Sequence, residues 1–541
     1  MDVFVKKMKG DEPLYSFHAF IFPFEWSVKD SAQLSFEKQA NLEVVNKLMA
    51  GSTVWERSVL PQIPESLVAF NERVYFYDFV RPVLYDTAIE TSLLHEYHSK
   101  KVTEGLEYVI RLNDGRAYHL EVQDMVLCYY NMGVGFLAFH LQNKRIEQSS
   151  PEDVLLINTL GRRLYPPFFM TDTSVIGQRE FFDYADWKEG LNKVKKINQL
   201  AAEIRIEKGG ELWVNDDFSD WCCKPLPERT PVLIGKLLPT DVRVHLSLKP
   251  VLDDRMFTLC WYGNESLIKD VQGNDFDKDF LSHDWWYRYV FVDGSSRTCE
   301  SARMMRALLE KATNNRWGKS GTYYGVSRYS FVALTDSISK NSFAALICSH
   351  IQTIYYKIAL LGLMQRASML RFSEEVSSIG KLKAGEKEMF DKVESLYNRY
   401  IHFINRVYFR EVTAQEQGIE LYNALQQQMC LPTQVKELER EIEELHRYSQ
   451  ILDENLRNEK LDILTYIAAL FVVPSFIGTY FGIADFDMKS HWVGISIVVV
   501  LSAAFALGFL KSKRRICRIW WLVALAMLVI FSLFFYPNWA F

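Results

Sequence analysis

The amino-acid sequence predicts an α+β (or α/β) domain over residues 1–340, a helical stalk over 341–462, and a C-terminal α-helical membrane region with two to three spans at 463–484, 492–510 and 519–536. Three observations lead to this class. Apolar residues make up 49% of the 541 positions and charged residues 24%, but the apolar ones crowd into the last eighty or so positions. A heptad pattern runs up to the first apolar stretch without a Gly or Pro between 433 and 473. Upstream, short β-rich runs alternate with helical ones, as in a globular domain.

In chain order, Ser16–Phe24, Glu107–Leu112, Ala117–Asp124 and Gly135–Gln142 read as strands, with Asn113-Asp114-Gly115 as the turn between the second and third. Ser150 followed by Pro151, Glu152 and Asp153 starts a helix that should end near Gly161. Segment 205–231 is polar and rich in turn residues and is expected to divide two lobes. Val242–Leu248 and Met256–Tyr262 are further strand candidates, with a turn at Asp253-Asp254, and Glu300–Ala312 reads as a helix.

Helical patterns follow over 341–380 and 387–429. Ala344–Met364 is apolar, but His350 and Lys357 interrupt it, so it reads as a buried helix rather than a span. Pro432 suits a first helical turn. From there Val435, Leu438, Ile442, Leu445, Leu452 and Leu456 fall on steps of three and four, with Ser449 filling the gap, and the charged run Lys436–Glu444 forms the solvated face.

Ile463–Ala484, Trp492–Leu510 and Ile519–Phe541 contain no charged residue, and each is long enough for the roughly 20 residues that cross a hydrocarbon core. The loop after the first span carries one basic residue, Lys489, whereas Lys511, Lys513, Arg514, Arg515 and Arg518 follow the second. Basic loops stay inside, so the large N-terminal part is expected in the cytoplasm, at the plasma membrane. Trp492, Trp520, Trp521, Tyr536 and Trp539 near span ends fit interfacial belts. The N-terminus has no apolar h-region, so no secretory signal is expected.

Net charge is −5 with no basic stripe, which argues against direct nucleic-acid binding. The eight cysteines, including adjacent Cys222 and Cys223, form no CxxC pair and read as free thiols. P-loop, GxGxxG, GxSxG, HExxH and zinc spacings are absent, so no enzyme is expected, and catalytic residues and a metal site go unassigned. His95 and His98 form an HxxH with no matching ligand pair; Asp216, Asp217 and Asp220 are either solvated turn residues or a cation sensor.

Three segments combine arginine with aromatics: Arg162, Arg163 and Tyr165; Asp254 and Arg255; Arg316, Trp317, Tyr324 and Arg328. Guanidinium groups take phosphates bidentately and aromatic faces stack on bases, so together these residues are candidates for an anionic, base-containing ligand. The alternative is that the arginines cap helices and pair with internal carboxylates. In the first span, helical spacing puts Asp462, Thr465, Ala469, Val472, Ser475 or Phe476, Thr479 and Ile483 near one face, either lining a pore or packed on neighbouring helices; Gly482 and Asp485 lie at its end.

Pro474-Ser475-Phe476-Ile477-Gly478-Thr479-Tyr480-Phe481-Gly482-Ile483-Ala484-Asp485 resembles the end of the first span in the CorA family of metal-ion transporters and channels. Phe481-Gly482-Ile483 falls where that family has Tyr-Gly-Met, and Lys511–Arg515 matches its basic tail. The resemblance covers roughly 385–515 and implies a homopentamer whose long helices line a pore. Ala484 stands where the family has its asparagine, with Asp485 beside it to supply an acidic ring, and the third span has no counterpart. The large N-terminal domain and the missing asparagine are similar to the CorA-like membrane effectors linked to type III CRISPR systems. That likeness implies antiviral defence and gating by a nucleotide second messenger, an adduct of S-adenosylmethionine (SAM) and AMP. The alternatives are transport of Mg²⁺ or another divalent cation, and a membrane-anchored nucleotide-processing enzyme.

Overall fold

Strand β1 (Ser16–Val28) is apolar on both faces, and the fold explains why: it is a central strand covered on both sides. The computed structural model describes residues 13–29, 40–61, 63–64, 66–87, 92–99, 105–112, 115–164, 203–208, 211–214, 231–251, 255–338, 342–382 and 387–483. They divide into two units, one of residues 1–381 and 394–443, the other of 382–393 and 444 onward.

In the first unit β1 is followed by α1 (Leu42–Met49), β2 (Glu56–Arg57), α2 (Leu67–Tyr75), α3 (Arg81–Leu84), β3 (Leu94–His98), β4 (Glu107–Arg111), β5 (Ala117–Tyr130), β6 (Val134–Asn143) and α4 (Pro151–Gly161). Then come β7 (Glu203–Lys208), β8 (Glu211–Val214), α5 (Val232–Leu237), α6 (Thr240–His245), β9 (Leu246–Pro250), β10 (Phe257–Gly263), α7 (Glu265–Gln272), α8 (Asp284–Phe291) and α9 (Ala302–Ala312). β11 (Thr313–Asn314), β12 (Thr322–Val326), β13 (Ser330–Thr335), α10 (Ser342–Gln352) and α11 (Ile354–Ile379) complete the run. Three helices follow: α12 (Lys387–Arg406), α13 (Glu416–Gln428) and α14 (Leu431–Ile483).

Among the described residues the strands form one sheet of 13 in the order β11-β12-β13-β10-β1-β6-β5-β4-β7-β8, with β9 beside β1 and β2-β3 beside β5. All pairings are antiparallel except β10 with β13. Phe20, Phe22, Phe24 and Trp26 from β1 join a core with Leu127, Tyr129, Ile157, Leu233 and Leu237. Cys260 and Tyr262 of β10 and Val332 and Leu334 of β13 pack with Trp286, Tyr289 and Leu309 of α8 and α9. Helix α11 packs on β1 and β6, with Phe331 of β13 stacked on its Tyr355.

Five of the six strand expectations hold, Met256–Tyr262 appearing as β10, and the turn after β4 is closed by Gly115 at φ +90°. Helix α4 opens with a Ser150–Asp153 capping box and ends at Gly161 as expected, and α9 starts after the Ser301 cap. Val242–Leu248 is a correction: residues up to His245 are helical, and only Leu246–Pro250 is strand. Pro239 before Thr240 and Asp241 in the first turn favour the helix, and β9 begins where the chain can pair with β1. Of the polar segment 205–231, residues 209–210 and 215–230 lie outside the described residues; its start falls in β7, which extends the sheet from β4, and in β8, which pairs with β7. The pattern 387–429 is two helices broken over 407–415.

Ala344–Met364 lies within two helices of the domain. The stretch Phe343–Ile379 is long and apolar enough to cross a membrane, yet 83% of its most apolar window is buried in the protein. Helix α14 begins with Leu431-Pro432 and runs unbroken for 53 residues, about 80 Å at 1.5 Å per residue. Val435, Leu438 and Ile442 of its seam are buried. In the second unit Ser449 is buried, Leu445, Leu452 and Leu456 are half-buried, and Tyr448, Ile451, Leu461 and Leu464 are exposed.

Candidate functional site

Distant parts of the chain meet at one end of β10 and β13. Helix α4 stops at Gly161, and the carbonyl of its capping residue Arg162 accepts the Met256 amide at 2.8 Å. Arg163 and Arg255 pair as an isolated antiparallel bridge. The Thr258 amide donates to the Tyr329 carbonyl at 3.0 Å, which draws in the turn between β12 and β13. That turn is closed by the Ser327 amide on the Ser330 carbonyl at 2.9 Å and by their hydroxyls at 2.6 Å.

The tyrosine in this turn is the focus. The Arg255 guanidinium lies 5.7 Å from the Tyr329 ring centroid, and that of Arg366, from α11, lies 5.3 Å away. Both are within cation–π range. Arg366 also donates to the Arg328 carbonyl at 3.0 Å, and Arg328 reaches Cys430 Sγ at 3.3 Å. Arg162 is buried and donates to the Val292 carbonyl at 3.4 Å. Arg255 and Arg366 thus flank one aromatic ring, while Arg162, Arg163 and Arg328 join them through the backbone, the Arg162 and Arg328 side chains being directed to the Val292 carbonyl and Cys430 Sγ. A guanidinium beside a ring suits phosphate next to a planar group.

Other candidates sit elsewhere. Arg316 makes an ion pair with Glu420, which also accepts from Asn314 at 2.8 Å, and this neighbour holds the guanidinium above its usual range. Trp317 donates to Gln417 at 3.2 Å. Tyr324 is fully buried against Phe331 and Tyr355. For these three the internal-pairing alternative describes the geometry. Tyr165, Asp254, Asp216, Asp217, Asp220, Cys222 and Cys223 lie outside the described residues. Asp462 and Thr465 are exposed on α14, with Thr465 Oγ1 donating to the Leu461 carbonyl at 2.8 Å. Ala469, Val472, Ser475, Phe476, Thr479, Gly482 and Ile483 lie in the same helix; Asp485 and the second and third spans fall outside the described residues.

Sequence reasoning missed a buried ionic chain. His98 Nδ1 bonds Asp124 at 2.6 Å and its Nε2 bonds Glu96 at 2.8 Å. The other Glu96 oxygen accepts from Lys357 Nζ at 2.6 Å. Lys357 also lies over the Tyr85 ring at 4.8 Å, and the Tyr85 hydroxyl donates to Glu72 at 3.0 Å. A β-bulge in β5 between Val122 and Asp124 breaks the register beside this carboxylate. Burial alone would raise the Glu96 carboxyl, but Lys357 and His98 outweigh it and bring it down to about 2. Burial would lower His98, but its bonds to Asp124 and Glu96 bring it up to about 9.

The strand period explains why HxxH is no ligand pair. Side chains alternate, so His98 shares a face with Glu96 and not with His95, whose burial lowers it to about 4. Among the described residues no group of three or more His, Cys, Asp or Glu is arranged to hold a metal, and Cys128, Cys260, Cys299, Cys348 and Cys430 are free thiols. The lysine interrupting an apolar helix was the available signal, because a buried ammonium needs a counter-charge. A cavity of about 360 Å³ is lined by Glu25, Lys249, Pro250, Val251, Leu370, Arg371 and Glu374.

No protein-family model matches the chain, and neither a curated protein nor a solved structure matches it.

Proposed function

We propose that the chain is a CorA-like, membrane-anchored homo-oligomeric channel, with five subunits, gated through its N-terminal domain by a nucleotide second messenger such as a SAM–AMP adduct. It acts at the plasma membrane with that domain in the cytoplasm, as an effector of antiviral, CRISPR-linked defence. The observation that carries the reading is helix α14: its first turns are buried in the domain that holds the arginine cluster, and the same helix continues unbroken into the apolar stretch from Ile463. A stiff helix can hand a displacement of a few ångströms from a ligand site to a pore. Arg255 and Arg366 at the Tyr329 ring, with the Arg163 and Arg328 backbones beside them, support an anionic, aromatic ligand for this end of the domain.

The test is ion flux from liposomes that contain the full chain. Flux is expected only after nucleotide is added, and Arg163→Ala or Arg328→Ala should remove the response while unfolding midpoints stay near wild type. Constitutive Mg²⁺ uptake indifferent to nucleotide would establish the divalent-cation transporter instead. Turnover of the nucleotide without flux would establish the membrane-anchored enzyme.

A further inference from the structure

Helix α2 (Leu67–Tyr75) is built inside out. Leu67, Phe70 and Val74 follow i, i+3 and i+7 and therefore form one stripe. No residue of the helix is fully buried, and the stripe faces solvent, with Leu67 67%, Phe70 49% and Val74 53% exposed. The acid of the helix points the other way: Glu72 accepts from the Tyr85 hydroxyl at 3.0 Å, and burial raises its carboxyl.

Two further exposed apolar residues flank the helix in the chain. Ile63 precedes it at 81% exposure and Phe79 follows at 62%. Arg73 donates to the Pro61 carbonyl at 3.2 Å, which ties the preceding loop to the helix, and Phe79 stacks on Tyr77 and packs on Phe409. Taking 150–250 Å² per large side chain, the exposed apolar area of these five is on the order of 600 Å². That is the top of the range for the largest patch on a monomer, about 300–600 Å². It is also roughly three-quarters of the ~800 Å² that one partner contributes to a standard interface.

We propose that this face is a contact between subunits, covered by a second copy of this chain. Area and charge both select that occupant. The apolar area is close to one side of a stable association. Its rim carries both signs, with Asp78, whose side chain is 90% exposed, beside Arg81 and Arg73. A mixed rim admits a copy of itself without net repulsion, whereas a polyanion or an anionic membrane selects a basic one. The contact rests on the oligomeric reading above but not on conduction. It also sits on the reverse side of the helix whose Glu72 enters the buried ionic chain, so association and that chain share one element.

The experiment places a photoreactive benzoylphenylalanine at position 70 of the full-length chain, co-expressed in two differently tagged forms in membranes. Irradiation is expected to give a covalent product that carries both tags and two peptides of this chain. The same probe at the exposed position 269 should not give it, and Val74→Asp in the partner copies should abolish it. Products confined to one chain, to lipid or to a foreign protein overturn the proposal. Light scattering of the full chain in detergent separates the two levels. An oligomer without the position-70 product sinks this contact alone, and a monomer sinks the oligomeric reading with it.

Discussion

Replacing Lys357 with Met is the sharpest test of the buried ionic chain. The substitution keeps most of the side-chain volume in α11 but removes the ammonium that lies 2.6 Å from Glu96. Both side chains are nearly buried, at 6% and 10% exposure, so water does not replace the lost partner. Breaking a buried pair from one side costs about 3–5 kcal/mol, because the remaining charge is stranded. Glu96 retains His98 at 2.8 Å, which places this case at the lower end, about 3 kcal/mol. Glu96→Gln added to Lys357→Met removes the stranded charge, so the double variant should be more stable than the sum of the two single losses predicts. The assay is chemical denaturation of the detergent-solubilised chain, followed by tryptophan fluorescence across all four members of the cycle. A Lys357→Met variant within about 0.5 kcal/mol of wild type, the scatter of ordinary surface changes, would refute the reasoning, as would strict additivity.

The same chain sets a pH window. His98 is raised from 6.5 to about 9, so its contribution is full below pH 6.5 and fades as pH rises through about 9. Glu96 is lowered from 4.5 to about 2, so its contribution is present above pH 4.5 and is lost as pH falls towards 2. Unfolding midpoints should therefore peak between about pH 4.5 and 6.5 relative to Glu96→Gln/His98→Gln, measured by thermal denaturation across pH. Gly133→Ala should cost about 2 kcal/mol: Gly133 sits at φ +72°, and a Cβ there would meet the Arg371 guanidinium at 1.8 Å. That guanidinium donates to the Met132 carbonyl at 2.9 Å and lies 3.5 Å from Glu25, so it has little room to retreat; urea titration measures the loss. Single-channel recording tests the pore reading, in which Asp485→Ala alters conductance or selectivity and Gly482→Leu blocks current; unchanged current in both removes these residues from the pore.

Local signals were legible in the chain because they act over a few residues. The alternation of Ala117–Asp124, the Ser150–Asp153 cap, the terminus at Gly161 and the heptad from Val435 each state a backbone preference that their neighbours share. Where a local preference competed with pairing, the reading slipped: Val242–His245 has β-branched residues but follows a proline and folds as helix, and the start of the polar segment 205–231 pairs with the edge of β4.

The site divides the same way. Arginines and aromatics marked Arg163 and Arg255 together as ligand candidates, but the sequence carried no sign that the two bridge each other or that Tyr329 sits between Arg255 and Arg366, and Arg366 lay in a helix read as core. Lys357 and Glu96 are 261 residues apart, so the pair exists only because α11 lies across the sheet. Residue chemistry and short-range periodicity are properties of the chain. Which charges share a low-dielectric interior, and which apolar stripe is left facing water on α2, follow from tertiary packing, because burial is decided by segments that meet only when the sheet closes.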